Sequence, residues 1–191
     1  MKGPCIEVAS LEELLASGKR FRTIYADPPW PYRNRWTRSS AQKNYVTESM
    51  DWIKALPIDK LAEKSAHLHL WTTVGFRELA HDLIRAWGFQ YRSELVWGKT
   101  PGLGIGNYWR LVTEHLLLGV RGDYDFRDHT ISNLIITRRG AHSRKPDQVR
   151  ALIERVSAPD RLELFAREHA PGWWVWGNEI ARNLFSQPIN S

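Results

Sequence analysis

Phe21-Arg22-Thr23-Ile24-Tyr25-Ala26 runs straight into Asp27-Pro28-Pro29-Trp30. The first six residues form a short apolar run that predicts a buried strand. The prolines end it, because neither carries a backbone N–H that could continue a ladder or a helix. Each proline keeps its carbonyl, and those carbonyls stand beside the Asp27 carboxylate. The result is a cluster of acceptors closed by a flat indole. Such a cluster suits a planar ring bearing an exocyclic amino group. The carboxylate and a carbonyl accept the two amino hydrogens, and the Trp30 indole stacks on the ring. The plainer alternative is a Pro-Pro turn with an Asp cap and a core Trp.

Composition narrows the partners. A chain of 191 residues fits one domain, residues 1–191, with a sizeable core. The net charge of +6 together with ten Trp suits contact with phosphates and stacking on bases. A single cysteine, Cys5, excludes an internal disulfide and a Cys-based zinc site. No apolar stretch is long enough to span a bilayer, and the N-terminus lacks the apolar core of a signal peptide. The expectation is a cytoplasmic protein with a nucleic-acid partner, no membrane and no metal.

Outward from the turn, helical and strand patterns alternate. Ser10 to Ser17 reads as a short helix with a Ser10/Glu13 capping box and a Gly18 stop. Pro31 to Ser49 is polar, rich in Arg and without a period, and is expected to be a mobile loop. Tyr45 inside it is either a packed loop aromatic or a second wall for a base. Met50 to Ala55 and Ile58 to Lys64 read as helical pieces broken by Pro57. Ala66 to Trp71 reads as a strand with His67 and His69 on one face, more consistent with buried histidines than with half a metal site. Val74 to Trp87 has helical spacing and stops at Gly88. Tyr91 to Trp97 and Val112 to Val120 are strands, joined by a flexible Gly-rich lip from Lys99 to Trp109.

Leu134 to Thr137 is a short strand followed by the basic run Arg138, Arg139, His142, Ser143, Arg144 and Lys145. That run precedes a helix expected to begin at Pro146, which makes it a ready anion site. Arg161 to Ala166 and Trp173 to Trp176 are strands separated by a turn at Arg167 to Pro171, and a terminal helix opens at Gly177. The alternation predicts a three-layer α/β domain around a largely parallel sheet. Ligands of such sheets bind outside the carboxyl ends of the strands. The Asp27 turn, the Lys99 lip, the Arg167 turn and the pair Asn178-Glu179 all follow strands, so they can gather at one edge.

Several stretches together resemble the MT-A family, named for the seventy-kilodalton subunit of the mRNA N6-adenosine methyltransferase. They are Tyr25 to Trp30, Leu95 to Thr100, Glu114-His115 with Gly119 to Gly122, His142 to Asp147, Glu163 to Arg167, and Trp174 to Asn178. The resemblance implies a Rossmann-like fold using S-adenosylmethionine, with motifs in permuted order. It implies that Asp27, Pro28, Pro29 and Trp30 are the catalytic motif. Lys145 is implied to meet the methionine part of the cofactor, Arg167 and His169 its ribose and carboxylate, and Asn178 its ribose or adenine. Tyr45, Lys99, Glu114 and Ser143 are implied to surround the target base. Ala170 departs from a frequent Asn, and Glu179 from a Gln; a carboxylate there can still accept from ribose hydroxyls.

The activity implied is methylation of an adenine amino group in nucleic acid. Small relatives without accessory domains look bacterial or phage-like, which tips the expectation from RNA toward DNA. Cytosine N4-methylation, a small-molecule amine and a catalytically silent partner subunit are the rival readings. The intact Asp27 turn and Lys145 weigh against the last. A homodimer is a possible assembly.

Overall fold

The structure is a computed structural model, and it describes residues 3–31, 49–102, 104, 106, 108–138 and 144–177. Among these, eight strands form one sheet: β1 (Ile6–Glu7), β2 (Phe21–Ala26), β3 (Ala62–Thr72), β4 (Gln90–Thr100), β5 (Thr113–Arg121), β6 (Leu134–Arg138), β7 (Arg161–Leu164) and β8 (Trp174–Trp176). Their order across the sheet is β1-β8-β7-β2-β3-β5-β4-β6. Every neighbouring pair is parallel except those made by β5, which runs antiparallel to both β3 and β4. Central strands are covered on both faces, so they read as continuous apolar runs rather than alternating ones. β2 fits this, with only Arg22 exposed.

Helices cover both faces. α1 (Leu11–Ala16), α2 (Met50–Ala55), α3 (Ile58–Leu61) and α4 (Arg77–Ala86) place Leu11, Leu14, Ile53, Ile58, Leu61, Leu83 and Ile84 against Ile24, Ala26, Leu68 and Leu70 of the sheet. α5 (Asp147–Val156) places Val149 and Ile153 on the other face, with Tyr25, Trp71, Trp97 and Trp173. The three-layer α/β architecture expected from the sequence is the one observed. Ser10 caps α1 by accepting the Glu13 N–H at 3.1 Å.

Some boundaries differ for physical reasons. α3 ends at Leu61 rather than Lys64, because Ala62 already pairs with Phe21. Val74–Phe76 is a 3₁₀ turn, and the α-helix starts only at Arg77. Pro146 is the N-cap of α5, extended at ψ 129°, rather than its first turn. β7 stops at Leu164 because Phe165 adopts φ 59°, the left-handed region that a strand cannot contain. The two-residue β1 was not foreseen. The expected loop from Pro31 to Ser49 and the terminal helix from Gly177 lie almost wholly outside the described residues.

His67 and His69 are buried on β3 and share one partner. His67 Nδ1 lies 2.8 Å, and His69 Nε2 2.9 Å, from the Ser157 hydroxyl just after α5. A hydroxyl donates one hydrogen, so one ring accepts it while the other ring donates to the oxygen.

Candidate active site

Asp27 follows the last residue of β2 in the middle of the sheet, at its carboxyl edge. The prolines then turn the chain tightly. The Trp30 N–H donates to the Pro28 carbonyl at 2.9 Å, a three-residue turn. One lone pair of the Pro28 carbonyl is therefore used by the turn itself, and a second is left. Asp27 and Pro29 remain half-buried, whereas Pro28 and Trp30 are buried.

Trp30 corrects the expectation of a base-stacking indole. Its ring stacks on Phe76, with centroids 5.7 Å apart and planes 10° apart. Its Nε1–H donates to the Trp71 carbonyl at 3.0 Å. Only 5% of the residue is exposed. The indole fixes the turn to the core and to the end of β3.

Four charged side chains from separate elements meet beside this turn. Lys145, just before α5, donates to Asp27 Oδ2 at 2.7 Å and lies 3.3 Å from Glu114 Oε2. Glu114 also pairs with Lys99. Glu114 is at the start of the reversed strand β5, and Lys99 is near the end of β4, so both reach the same edge as Asp27. The ammonium of Lys145 sits over the Trp71 ring, 5.5 Å from its centroid, and that of Lys99 over Trp97 at 5.1 Å. Burial opposes the charge on Lys145, but the Asp27 and Glu114 carboxylates outweigh it, so its pKa is raised. Arg167 pulls the other way, which places a second positive charge near Lys145.

A deeper polar layer joins the cluster through Trp71, whose ring lies under Lys145 and whose Nε1–H meets Tyr25, and sequence reasoning missed most of it. Tyr25 and Glu163 are register partners on β2 and β7. The Tyr25 hydroxyl accepts from Trp71 Nε1 at 2.7 Å. Burial and the neighbouring Glu163 push the Tyr25 hydroxyl well above the usual tyrosine range. Arg150 of α5 clamps Glu163 in a forked pair, Nε to Oε2 at 3.0 Å and Nη2 to Oε1 at 3.1 Å. Burial still raises the Glu163 carboxyl to about 7. The available signal was a carboxylate between two buried leucines, Leu162 and Leu164.

At the end of β7 the backbone is strained, with Phe165 at φ 59°. The Ala166 N–H then donates to the Trp176 carbonyl at 3.0 Å. A Cβ on Gly177 would lie 2.2 Å from the Ala166 carbonyl oxygen, so only glycine fits there.

The other expected residues divide in two. His169 is exposed, and its Nε2 lies 3.0 Å from Glu7 Oε2, at β1 rather than in the charge cluster. Tyr45, Ser143, Asn178 and Glu179 lie outside the described residues. Among the described residues no three His, Cys, Asp or Glu side chains gather as a metal site. Nor is any described helix long and apolar enough to cross a membrane.

A mostly parallel sheet with one reversed strand, helices on both faces and a charged carboxyl edge define a Rossmann-like fold of the methyltransferase class. The MT-A70 family model matches residues 21–179, and the chain belongs to that family. It is 32% identical to the N6-methyladenosine RNA methyltransferase MTA1 of Cryphonectria parasitica, covering 93% of this chain and 56% of that protein. It is 30% identical to the human N(6)-adenosine-methyltransferase catalytic subunit METTL3 over 84% of this chain and 28% of the relative. It is 29% identical to the type II methyltransferase M.MunI of a Mycoplasma, over 89% of this chain and 82% of the relative. The chain thus spans about a quarter of the length of METTL3 and most of that of M.MunI.

Proposed function

We propose that this protein is an S-adenosylmethionine-dependent methyltransferase acting on the N6 amino group of adenine in nucleic acid, with DNA as the polymer. The observation that carries the reading is the 2.7 Å contact between Asp27 and Lys145, two motif residues 118 positions apart in sequence. Similarity to the bacterial type II methyltransferase, 29% identical over 194 residues, supports DNA. RNA is the second reading, favoured by the relative that is named an RNA methyltransferase.

The residues present fit the cofactor. Lys145 and Arg167 bring two positive charges to one corner, which suits the carboxylate of an amino acid. When bound, S-adenosylmethionine supplies a methyl group made electrophilic by a sulfonium.

An adenine amino group is a poor nucleophile, because its lone pair is delocalised into the ring. Asp27 accepts one amino hydrogen, and the remaining lone pair of the Pro28 carbonyl, or the Pro29 carbonyl, accepts the other. Both contacts favour a pyramidal nitrogen with its lone pair free to react. They also stabilise the positive charge that develops there, an effect strongest in a site already oriented before reaction. Lys145 orients the Asp27 carboxylate, and Trp30 fixes the turn that carries it. Asp27 need not be a strong base, since the amino proton becomes acidic only as the new bond forms.

Asp27→Ala is expected to abolish methyl transfer while sparing cofactor binding. The test is tritiated-methyl incorporation into matched single- and double-stranded DNA and RNA, with mass spectrometry of the digested nucleosides and calorimetry of the cofactor. Substantial residual transfer refutes the role of Asp27. N4-methylcytosine as the product refutes the adenine assignment.

A further inference from the structure

The hairpin between β4 and β5 closes at the charge cluster itself. The Lys99 N–H donates to the Val112 carbonyl at 2.7 Å, and Lys99 pairs with Glu114. Beyond that closure the chain makes a tight turn. A Cβ on Gly106 would lie 2.0 Å from the Trp109 carbonyl oxygen, so the turn requires glycine. Arg110 Nη1 donates back to the Gly106 carbonyl at 3.3 Å. This turn leaves two adjacent aromatic side chains in water, Tyr108 at 95% exposed and Trp109 at 86%. Among the other described tryptophans, Trp30, Trp71, Trp87, Trp97 and Trp173 are buried, Trp174 and Trp176 half-buried, and Trp52 is 39% exposed.

Trp109 lies five residues from Glu114, a reach of at most about 17 Å in extended chain. That distance is a few nucleotides from whatever base faces Asp27. Arg110 adds positive charge beside the rings, and the chain as a whole carries +6, so an anionic polymer complements this rim.

The geometry points to Tyr108 and Trp109 as a stacking platform for unpaired bases that flank the target adenine, with a single strand of nucleic acid as the occupant. Base faces stack on exposed aromatic rings with little regard to sequence. In an intact duplex those faces are already stacked on one another, so the platform selects single-stranded or locally opened substrate. The inference rests on the proposed nucleic-acid methyltransferase reading.

The test is an anisotropy titration of labelled single-stranded oligodeoxyadenylate, and of its duplex with oligothymidylate, against the full chain. Tyr108→Ala and Trp109→Ala are each expected to weaken single-strand binding about tenfold, with Trp109→Phe restoring most of the loss. The salt dependence of binding is expected to stay the same, because rings touch bases and not phosphates. Equal single-strand affinity in the wild-type chain and the double variant overturns the inference. So does sedimentation showing that Trp109→Ala converts a dimer to a monomer, for then a second copy covers the rings. Calorimetry with S-adenosylmethionine separates the two readings: a wild-type chain that binds strand through these rings but not cofactor sinks the enzyme assignment and leaves the platform standing.

Discussion

Among the described residues, three buried groups set how stability responds to acid between about pH 4.5 and about pH 6.5. Burial pushes His67 down from 6.5 to about 4, and burial with the neighbouring His67 pushes His69 down to about 3. Burial pushes Glu163 up from 4.5 to about 7, despite the Arg150 clamp. In this window the unfolded chain binds a proton at each histidine that the folded chain refuses. Each histidine therefore makes stability rise with pH, its contribution complete above 6.5 and lost as pH falls toward its folded value. Glu163 works in reverse. The folded chain keeps a proton there that the unfolded chain has released, so its contribution is complete below 4.5 and lost as pH rises through about 7. Asp128, held below its ordinary 3.8 chiefly by hydrogen bonds from Thr130, acts only below this window.

Two groups against one leave about one net proton, or ~1.4 kcal/mol per pH unit, with stability rising as pH rises. Glu163→Gln removes the opposing group and raises the slope to ~2.7 kcal/mol per pH unit. Urea midpoints at half-unit steps across the window measure both slopes, provided the m-value stays constant. Parallel slopes for the wild-type chain and Glu163→Gln refute the reasoning, because they mean that Glu163 takes up no proton on folding.

Two further substitutions probe the edge itself. Lys145→Met leaves the Asp27 and Glu114 carboxylates without their shared cation; it is expected to cost about 3 kcal/mol and to lower Tm by roughly 6–12 °C. Adding Glu114→Gln is expected to return part of that loss in scanning calorimetry, and an unchanged Tm for Lys145→Met refutes the cluster. Trp30→Phe keeps a ring against Phe76 but strips the donor from the buried Trp71 carbonyl, with an expected cost of about 1–2 kcal/mol in urea unfolding. No measurable cost shows that this carbonyl finds another donor.

Much of this edge was legible in the sequence because backbone chemistry is local. Two prolines must end a strand, so the position of Asp27 followed from its neighbours alone. The apolar periods of α4 and α5 likewise announced which faces they bury. What was not legible depends on partners distant in sequence. An apolar run does not encode strand direction, so the reversal of β5 was hidden. A two-residue strand such as β1 carries no period to detect. Trp30 as a stacking face and Trp30 as a core ring are the same letters, and only the arrival of Phe76, on a turn 46 residues later, decides between them. Glu163 resembled an ordinary charged strand position until Arg150 closed over it.

The reversal of β5 has a chemical consequence. A strand running with the sheet brings only its last residues to the carboxyl edge, whereas a reversed strand brings its first. The pairing of Trp97 with Glu114 and of Gly98 with Thr113 therefore sets Lys99 beside Glu114 through hairpin register alone. Lys145 arrives from the start of α5 and Asp27 from the end of β2, so four elements contribute one charged group each. Along the edge the formal signs alternate: Asp27, Lys145, Glu114, Lys99. At the Asp27 end that row is balanced, and a full charge added there, away from the corner where Arg167 adds to Lys145, would have to displace a partner. A neutral amino group can approach Asp27 without leaving any charge unpaired. On the proposed mechanism, positive charge developing on it would meet two carboxylates already in place, with no group having to move to receive it.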